Sequence, residues 1–356
     1  MIRQHQNAVR LAGLVAAVAL VALAGAAPAQ YPPLTTPQPS PAASISQTVG
    51  VTGITIDYSR PMVNGRKVWG ELVPYGQVWR AGANVNTRVT FSTPVAVDGH
   101  PLAAGSYGLH MIPATGKWTV IFSKDADQWG SFSYDEKHDA LRIEVVPGTA
   151  PMTEALRYTI EPLSNESAEI VMDWETARVA IPLTVDTKAE TVVALRRDLT
   201  GLAQFFWQPW NAAANYCITN NVDLDEAADW LERSIAINAN FTNASTKAKL
   251  LRLRGDDKGA DALIATALRT ATEAEVNLHG YTLMNAGNLD QALVMFRKNV
   301  KDHPESWNVY DSLGEALDKA GKKSEAITNY RKALAMAPAA QKGRIEGILK
   351  TLDGKS

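Results

Sequence analysis

The alternation of apolar and polar positions changes its period near residue 186. Before this point, short runs such as residues 53–58 alternate apolar and polar side chains, the pattern of a half-buried strand. Turn residues separate the runs, and one of these turns, Asp98-Gly99, is typical of a two-residue hairpin. About eight such runs predict an all-β antiparallel sandwich or barrel over residues 42–186.

After residue 186 the apolar positions recur with the 3.6-residue period of a helix, and Ala, Leu, Glu and Lys dominate. The pattern predicts a connecting helix over 187–206 and an all-α solenoid over 207–353. Five pairs of similar residues also stand 34 positions apart. These pairs are Gly280 with Gly314, Gly287 with Gly321, Ala292 with Ala326, Phe296 with Tyr330, and Pro304 with Pro338.

This spacing and order resemble the tetratricopeptide repeat, which has small residues where two helices cross and an aromatic residue in the second helix. The resemblance covers 273–306 and 307–340, and it weakens upstream, where a unit near Gly255 fits only with altered spacing. Because one repeat cannot bury its own apolar face, we expect about four stacked units, with 341–353 as a cap. The resemblance implies a protein or peptide partner on the concave face, and the repeat residues themselves are expected to pack against each other.

The N-terminus has the three parts of an export signal. Arg3 and Arg10 flank a start without acidic residues, an apolar run covers 11–27, and Ala27-Pro28-Ala29 offers a cleavage site. We therefore expect a signal peptide over 1–29, cleaved after Ala29, and a periplasmic or secreted protein. A retained membrane anchor is the alternative, because the run is nearly long enough to span a bilayer. Residues 30–41 are rich in Pro and predict an extended linker.

Composition narrows the function classes. The 35 Lys and Arg nearly balance the 37 Asp and Glu, and no basic stripe indicates nucleic-acid binding. The single cysteine, Cys217, excludes an internal disulfide and is interpreted as a packed structural thiol.

The segment 58–87 contains the most informative part of the sequence. Its many Gly and Pro residues predict a long loop, and its aromatic residues are too numerous for a disordered segment. Its motifs closely resemble a family of exported bacterial proteins catalogued as domain of unknown function 2911. The matching motifs are Tyr58-Ser59-Arg60-Pro61, Gly65-Arg66, Trp69-Gly70, Leu72-Val73-Pro74-Tyr75-Gly76 and Val78-Trp79-Arg80-Ala81-Gly82-Ala83-Asn84, with Ala104–Pro113, Trp129-Gly130 and Trp174-Glu175 downstream.

This resemblance covers roughly residues 42–186 and implies an exported β-rich domain that is sometimes followed by tetratricopeptide repeats. It implies no established activity, cofactor or catalytic residue.

Two interpretations of the loop stay open. Its arginines can hold a carboxylate or phosphate and its tryptophans a sugar, or both sets can be structural, with Arg60 and Arg80 paired to carboxylates or loop carbonyls. The ligand-binding candidates are Arg60, Arg66, Trp79, Arg80, Asn84, Thr87, His110 and Lys124.

Three functions follow from these residues. The first is a non-enzymatic scaffold whose β-domain binds a small anionic or carbohydrate ligand and whose repeats bind a protein. The second is an envelope hydrolase using Ser59 or Ser123 with His110, although neither serine lies in a Gly-x-Ser-x-Gly elbow. The third is a purely structural scaffold. The dispersed histidines, without a cysteine beside them, predict no metal site, and no cofactor is expected.

Overall fold

The computed structural model describes residues 36–354. The predicted signal peptide lies outside the described residues. Within them, the chain forms ten β-strands between residues 42 and 184, followed by ten α-helices between 187 and 352. The fold class predicted from the sequence, an all-β domain followed by an all-α repeat region, is confirmed.

The strands form two antiparallel sheets. Six strands pair in the order β1-β2-β3-β6-β7-β8, and four pair in the order β5-β4-β10-β9. The buried side chains of both sheets form one shared core. The strands are β1 (Ala42–Val49), β2 (Thr52–Ser59), β3 (Thr87–Phe91), β4 (Val95–Val97), β5 (His100–Leu102), β6 (Gly105–Ile112), β7 (Trp118–Ser123), β8 (Asp139–Val145), β9 (Gly148–Pro162) and β10 (Ser167–Thr184).

Local sequence explains several of these strands. In β2 every second side chain is buried, including Ile54 and Ile56, because strand side chains point to alternate faces. Asp98 and Gly99 both have positive φ, 49° and 77°, the conformation that a tight hairpin between β4 and β5 requires.

Two strands were not predicted. β1 is a Ser- and Gln-containing edge strand that is mostly exposed, and β5 has only three residues, so neither has a clear apolar alternation. The apolar alternation predicts two separate strands over residues 168–174 and 178–183, but the structure joins them into a single strand, β10, with irregular pairing between Asp173 and Ala177. Glu175 has a φ of 54° at this irregularity.

The helices pair as hairpins after the first one. They are α1 (Thr187–Asp198), α2 (Trp207–Asn220), α3 (Leu224–Ile237), α4 (Phe241–Leu253), α5 (Asp257–Ala267), α6 (Glu273–Asn285), α7 (Leu289–Asp302), α8 (Trp307–Lys319), α9 (Lys323–Met336) and α10 (Ala339–Leu352). The connecting helix ends at Asp198, earlier than the predicted 206, because the chain becomes extended at Gly201 and then forms a short 3₁₀ turn.

The residues that recur 34 positions apart pack against each other within each repeat, as the sequence predicted. A Cβ at Gly280 would lie 2.7 Å from the ring of Phe296, and a Cβ at Gly314 would lie 3.1 Å from the ring of Tyr330. A larger residue at Gly280 would force the Phe296 ring to move, and one at Gly314 would crowd the Tyr330 ring, so glycine favours the close approach of the two helices in each hairpin. Cys217 is buried, and burial raises the pKa of its thiol to about 11, as expected for a structural cysteine.

The helical region has two main clusters of buried side chains. One extends from Val192 to Leu250, and the other from Met284 to Leu352. Between residues 36 and 354, no helix has the length and apolar character needed to cross a membrane.

Candidate functional site

The loop between β2 and β3 is held along both sheets by backbone hydrogen bonds. The backbone N–H of Val63 donates to the backbone carbonyl of Glu154 at 2.8 Å, which fixes the loop to β9. Trp79 and Met111 exchange two backbone bonds of 2.8 Å, which fix it to β6. The loop is an ordered part of the β-domain.

Four indole rings join this loop to the core. They belong to Trp69 and Trp79 of the loop, Trp118 of β7 and Trp174 of β10, which we call the tryptophan cluster. The Trp69 ring contacts the Trp118 ring at 4.6 Å and the Trp174 ring at 5.6 Å, and the Trp79 ring stacks on Trp174 at 5.7 Å. Because these rings connect the loop with both sheets, the geometry favours the structural interpretation of Trp69 and Trp79.

Two candidate arginines are bonded to backbone carbonyls. Arg60 Nε donates to the carbonyl of Leu156 at 2.9 Å, and Arg66 donates to the carbonyls of Val63 and Met62 at 3.0 and 2.5 Å. The arginine side chains thus supply hydrogen-bond donors to backbone carbonyl groups beside the irregular loop. Both arginines therefore have a structural role here.

The side chains of Asn84 and Thr87 also donate hydrogen bonds to backbone carbonyls. The Asn84 amide donates to the carbonyl of Ser40 at 3.1 Å and to Ser59 Oγ at 3.3 Å. The Thr87 hydroxyl, which is buried, donates to the carbonyl of Ala81 at 2.9 Å. Neither side chain lines the same cavity as Arg80.

A second loop lies over the outer face of the six-stranded sheet. This segment, residues 124–138 between β7 and β8, is called the cover loop below. The Asn86 side chain holds it in place: its amide donates to the carbonyl of Asp125 at 3.2 Å, and its oxygen accepts the Gln128 N–H at 2.9 Å. Gly108 makes this approach possible, since a Cβ there would lie 2.3 Å from the Asn86 amide nitrogen and 2.4 Å from the Asp125 carbonyl.

His110 is enclosed between the sheet and the cover loop. Its ring is fully buried, its Nδ1 lies 2.9 Å from Ser131 Oγ, and the ring of Tyr134 packs 5.3 Å away. Burial lowers the pKa of His110 from its ordinary 6.5 to about 4, against smaller opposing effects of Asp139 and Asp125. The imidazole is therefore neutral at pH 7.

The serine bonded to His110 is Ser131, and the hydrolase hypothesis had named Ser59 or Ser123. The Ser59 hydroxyl contacts Asn84, and the Ser123 hydroxyl accepts the Asp125 N–H at 3.2 Å. His110 Nε2 is buried without a hydrogen-bond partner among residues 36–354, so the part of the chain described offers no carboxylate that orients the ring. Neither Ser59 nor Ser123, the serines of the hydrolase hypothesis, is hydrogen-bonded to His110.

Arg80 differs from the other arginines of the β-domain. Of the seven between residues 42 and 186, the other six donate to a carbonyl or carboxylate. Arg80 Nε is buried with no partner in the described part of the chain, and burial lowers the pKa of its guanidinium. The side chain lines a cavity of about 180 Å³ together with Gln77, Ser131 and Phe132.

A wider cleft lies on the other side of the cover loop. It has a volume of about 610 Å³ and is lined by Asp57, Arg88, Asp127 and Trp129, among others. Arg88 is paired with both aspartates, at 2.9 and 2.8 Å, so its charge is already compensated. Lys124 is exposed at the start of the cover loop, beside the ion pair of Asp125 with His138.

The structure therefore does not bring the eight candidate residues into one site. Only Trp79 and Arg80 line the same cavity, and His110 contacts it indirectly through Ser131. Sequence reasoning named Lys124 and the Trp129-Gly130 motif in the cover loop, but it missed Ser131 and the contact of this loop with His110. The sequence does contain a signal for this loop: residues 124–138 are a long irregular segment with three aromatic residues, the same features that indicated an ordered loop over residues 58–87.

The helical region has a groove along the first helices of three successive hairpins. Its volume is about 490 Å³, and α2, α4 and α6 contribute most of its lining. Asn211 Oδ1 and Ser245 Oγ at this groove have no hydrogen-bond partner in the described residues. The side chain of Leu278 lines the groove and is 63% exposed.

These features define the class of the chain: a β-sandwich domain with a long anchored loop, followed by a stack of helical hairpins. Residues 40–183 match the family described as "Protein of unknown function (DUF2911)", and residues 308–339 match the tetratricopeptide repeat. These matches confirm the resemblance of the first region to that family and the presence of a tetratricopeptide repeat after it. No curated protein matches the sequence.

The solved structures that are similar to this chain include the following three. The Cut9–Hcn1 hetero-tetramer of the APC/C is 17% identical, with 46% of this chain and 33% of that chain covered and a TM-score of 0.28. YrrB, described as a TPR protein with an unusual peptide-binding site, is 16% identical, with 46% and 84% covered and a TM-score of 0.27. MamA is 17% identical, with 42% and 88% covered and a TM-score of 0.27. The chain thus spans about a third of the length of the first of these.

Proposed function

We propose that this protein is a binding scaffold whose helical groove holds an extended peptide segment of a protein partner. The observation that carries the proposal is the groove across α2, α4 and α6, in which side chains from three hairpins face one open channel. Repeat arrays commonly use such concave surfaces to bind extended chains. The tetratricopeptide repeat found in residues 308–339 supports protein–protein contact as the role of this region.

The charges of the groove favour an acidic peptide. Among the described residues, Lys249 donates a hydrogen bond to the neutral Asn215 side chain, at 3.2 Å, and pairs with no carboxylate, whereas Arg252 is paired with Asp261. The one carboxylate in the lining, Glu275, is occupied by the capping box of α6. Lys249 is thus the available charge, and the exposed Leu278 offers an apolar anchor nearby.

A displayed library of random peptides, selected on the purified protein, tests this proposal. We expect the selected peptides to be enriched in Asp and Glu, and Lys249→Glu to weaken their binding by about tenfold, measured by fluorescence anisotropy. Lys258→Glu is the matched control, because Lys258 is exposed on α5 and outside the groove lining. Peptides that bind both variants equally would contradict the proposal, as would a selection without enrichment.

The β-domain is proposed to have a binding role rather than a hydrolytic one. A neutral His110 without an orienting carboxylate, whose pKa lies near 4, is a weak general base at pH 7. Fluorophosphonate labelling checks this interpretation, since covalent modification of Ser59, Ser123 or Ser131 would favour the hydrolase.

Export is a further part of the proposal. The basic start, the apolar run over 11–27 and the Ala-Pro-Ala sequence support cleavage after Ala29. We expect the protein in the periplasmic or secreted fraction of a bacterial host to begin at Gln30, as determined by mass spectrometry of its N-terminal peptide. A cytosolic protein that keeps Met1, or a membrane-bound one that keeps residues 11–27, would be inconsistent with a cleaved signal.

A further inference from the structure

We propose that Arg80 binds the carboxylate of a small, apolar monocarboxylic acid in the cavity between residues 72–80 and the cover loop. This is a second binding site, separate from the peptide groove of the helical region. It does not depend on the function proposed for that groove.

The first argument is the missing counter-charge. Between residues 36 and 354, no carboxylate lies within ion-pair distance of Arg80, and its buried Nε has no acceptor. A partly buried guanidinium without a partner is unfavourable, because the lost hydration is not replaced. An anion in the adjoining cavity would replace it, and a carboxylate matches the two-donor geometry of a guanidinium.

Ser131 supplies a second donor to the same cavity. His110 Nε2 has no acceptor within the described residues, and a buried N–H without an acceptor is costly. We therefore assign the proton of the neutral ring to Nδ1, which then donates to Ser131 Oγ at 2.9 Å. The hydroxyl proton of Ser131 is left free to donate to an anion in the cavity, which Ser131 lines.

The size and lining of the cavity select the ligand class. A volume of about 180 Å³ admits a small molecule but not an oligosaccharide. A single cation matches a monoanion better than a phosphate dianion. Most of the lining is apolar, from Leu72, Pro74 and Phe132 among others, which favours an apolar substituent beside the carboxylate.

The space around Arg80 depends on a glycine of the cover loop. A Cβ at Gly130 would lie 3.0 Å from Arg80 Nη1 and 3.0 Å from the Phe132 ring. Gly130 also has a φ of 72°, which side chains rarely adopt. The glycine lets the cover loop lie directly against the guanidinium, with the 84% exposed ring of Phe132 at the rim of the cavity.

Titration of the full protein with benzoate tests the proposal, and benzamide is the uncharged probe of the same shape. We expect benzoate to bind and benzamide and inorganic phosphate to bind at least about tenfold more weakly, measured by calorimetry. Arg80→Met should weaken benzoate binding at least about tenfold, and Ser131→Ala about threefold to tenfold. Lys124→Met, which removes an exposed cation of the cover loop, is the control that should retain binding.

Stability separates this role from a structural one. Arg80→Met is expected to leave the midpoint of thermal unfolding unchanged or to raise it, because an uncompensated charge is removed. A lower midpoint would mean that the protein itself stabilises the guanidinium, and the proposal would be overturned. It would also fail if benzoate does not bind, if Arg80→Met binds it as well as the parent protein, or if benzamide or phosphate binds equally well.

Discussion

Replacing Trp174 by alanine is expected to lower the free energy of unfolding of the β-domain by about 3–5 kcal/mol. The side chain is 1% exposed and contacts Trp69 and Trp79 of the long loop, so its loss leaves a cavity where the loop meets β10. Hydrogen exchange of peptides from β9 and β10, followed by mass spectrometry, measures this loss separately from the helices. Trp174→Phe should recover part of it, because a ring remains in the cavity.

Trp129→Ala is the matched control for this substitution. Trp129 lies in the cover loop and is 67% exposed, so the same chemical change should alter stability by no more than about 0.5 kcal/mol. A loss as large at Trp129 as at Trp174 would show that the tryptophan cluster is not what fixes the loop. The same conclusion would follow if β10 were protected from hydrogen exchange equally well in the Trp174→Ala protein and in the parent protein.

Patterns that arise from neighbouring residues were predictable from the sequence. The alternation in β2 and the turn at Asp98-Gly99 follow from side-chain direction and backbone sterics within a few residues. The pairing of Gly280 with Phe296 was also predictable, because the repeat places both at fixed positions in one helical hairpin.

Side-chain partners that are distant in sequence were not predictable. Arg60 donates to the carbonyl of Leu156, 96 positions away, and this contact depends on how the loop lies against β9. The pairing of His110 with Ser131 depends on the cover loop folding over the outer face of the sheet. Sequence could list Arg80 beside Arg60 and Arg66, but only the three-dimensional contacts distinguish a guanidinium without a partner in the described part of the chain from two that are bonded to the backbone.

The family resemblance and the structure contribute different information about the β-domain. The family match covers the β-domain together with its long loop, and the structure explains most of the aromatic and arginine side chains of that loop by packing and backbone hydrogen bonds. Arg80 is the arginine of that loop whose Nε has no hydrogen-bond partner between residues 36 and 354. For this reason the binding proposal for the β-domain rests on Arg80 and not on the arginine content of the loop.

Acidification is expected to destabilise the β-domain through His110. Its pKa is about 4 in the folded protein and about 6.5 when unfolded, so above pH 6.5 both states hold a neutral ring and the residue has no effect. Between pH 6.5 and 4 the unfolded chain binds a proton that the folded one does not, and stability falls. At about 1.4 kcal/mol for each unit between the two pKa values, the total is on the order of 3 kcal/mol, of which about 2 kcal/mol is lost by pH 5.

The His110→Gln variant isolates this contribution, because subtracting its unfolding free energy from that of the parent protein at each pH cancels the titration of the carboxylates. We expect the parent to lose more stability than the variant between pH 7.5 and 5, measured by urea denaturation with hydrogen exchange of the β6 peptide. His138→Gln should act in the opposite direction, because its hydrogen bond to Asp125 raises the pKa of His138 and stabilises the folded state in acid. A difference between parent and His110→Gln that does not change with pH would mean that the cover loop leaves His110 open to water, and the tautomer that frees the Ser131 hydroxyl would lose its basis.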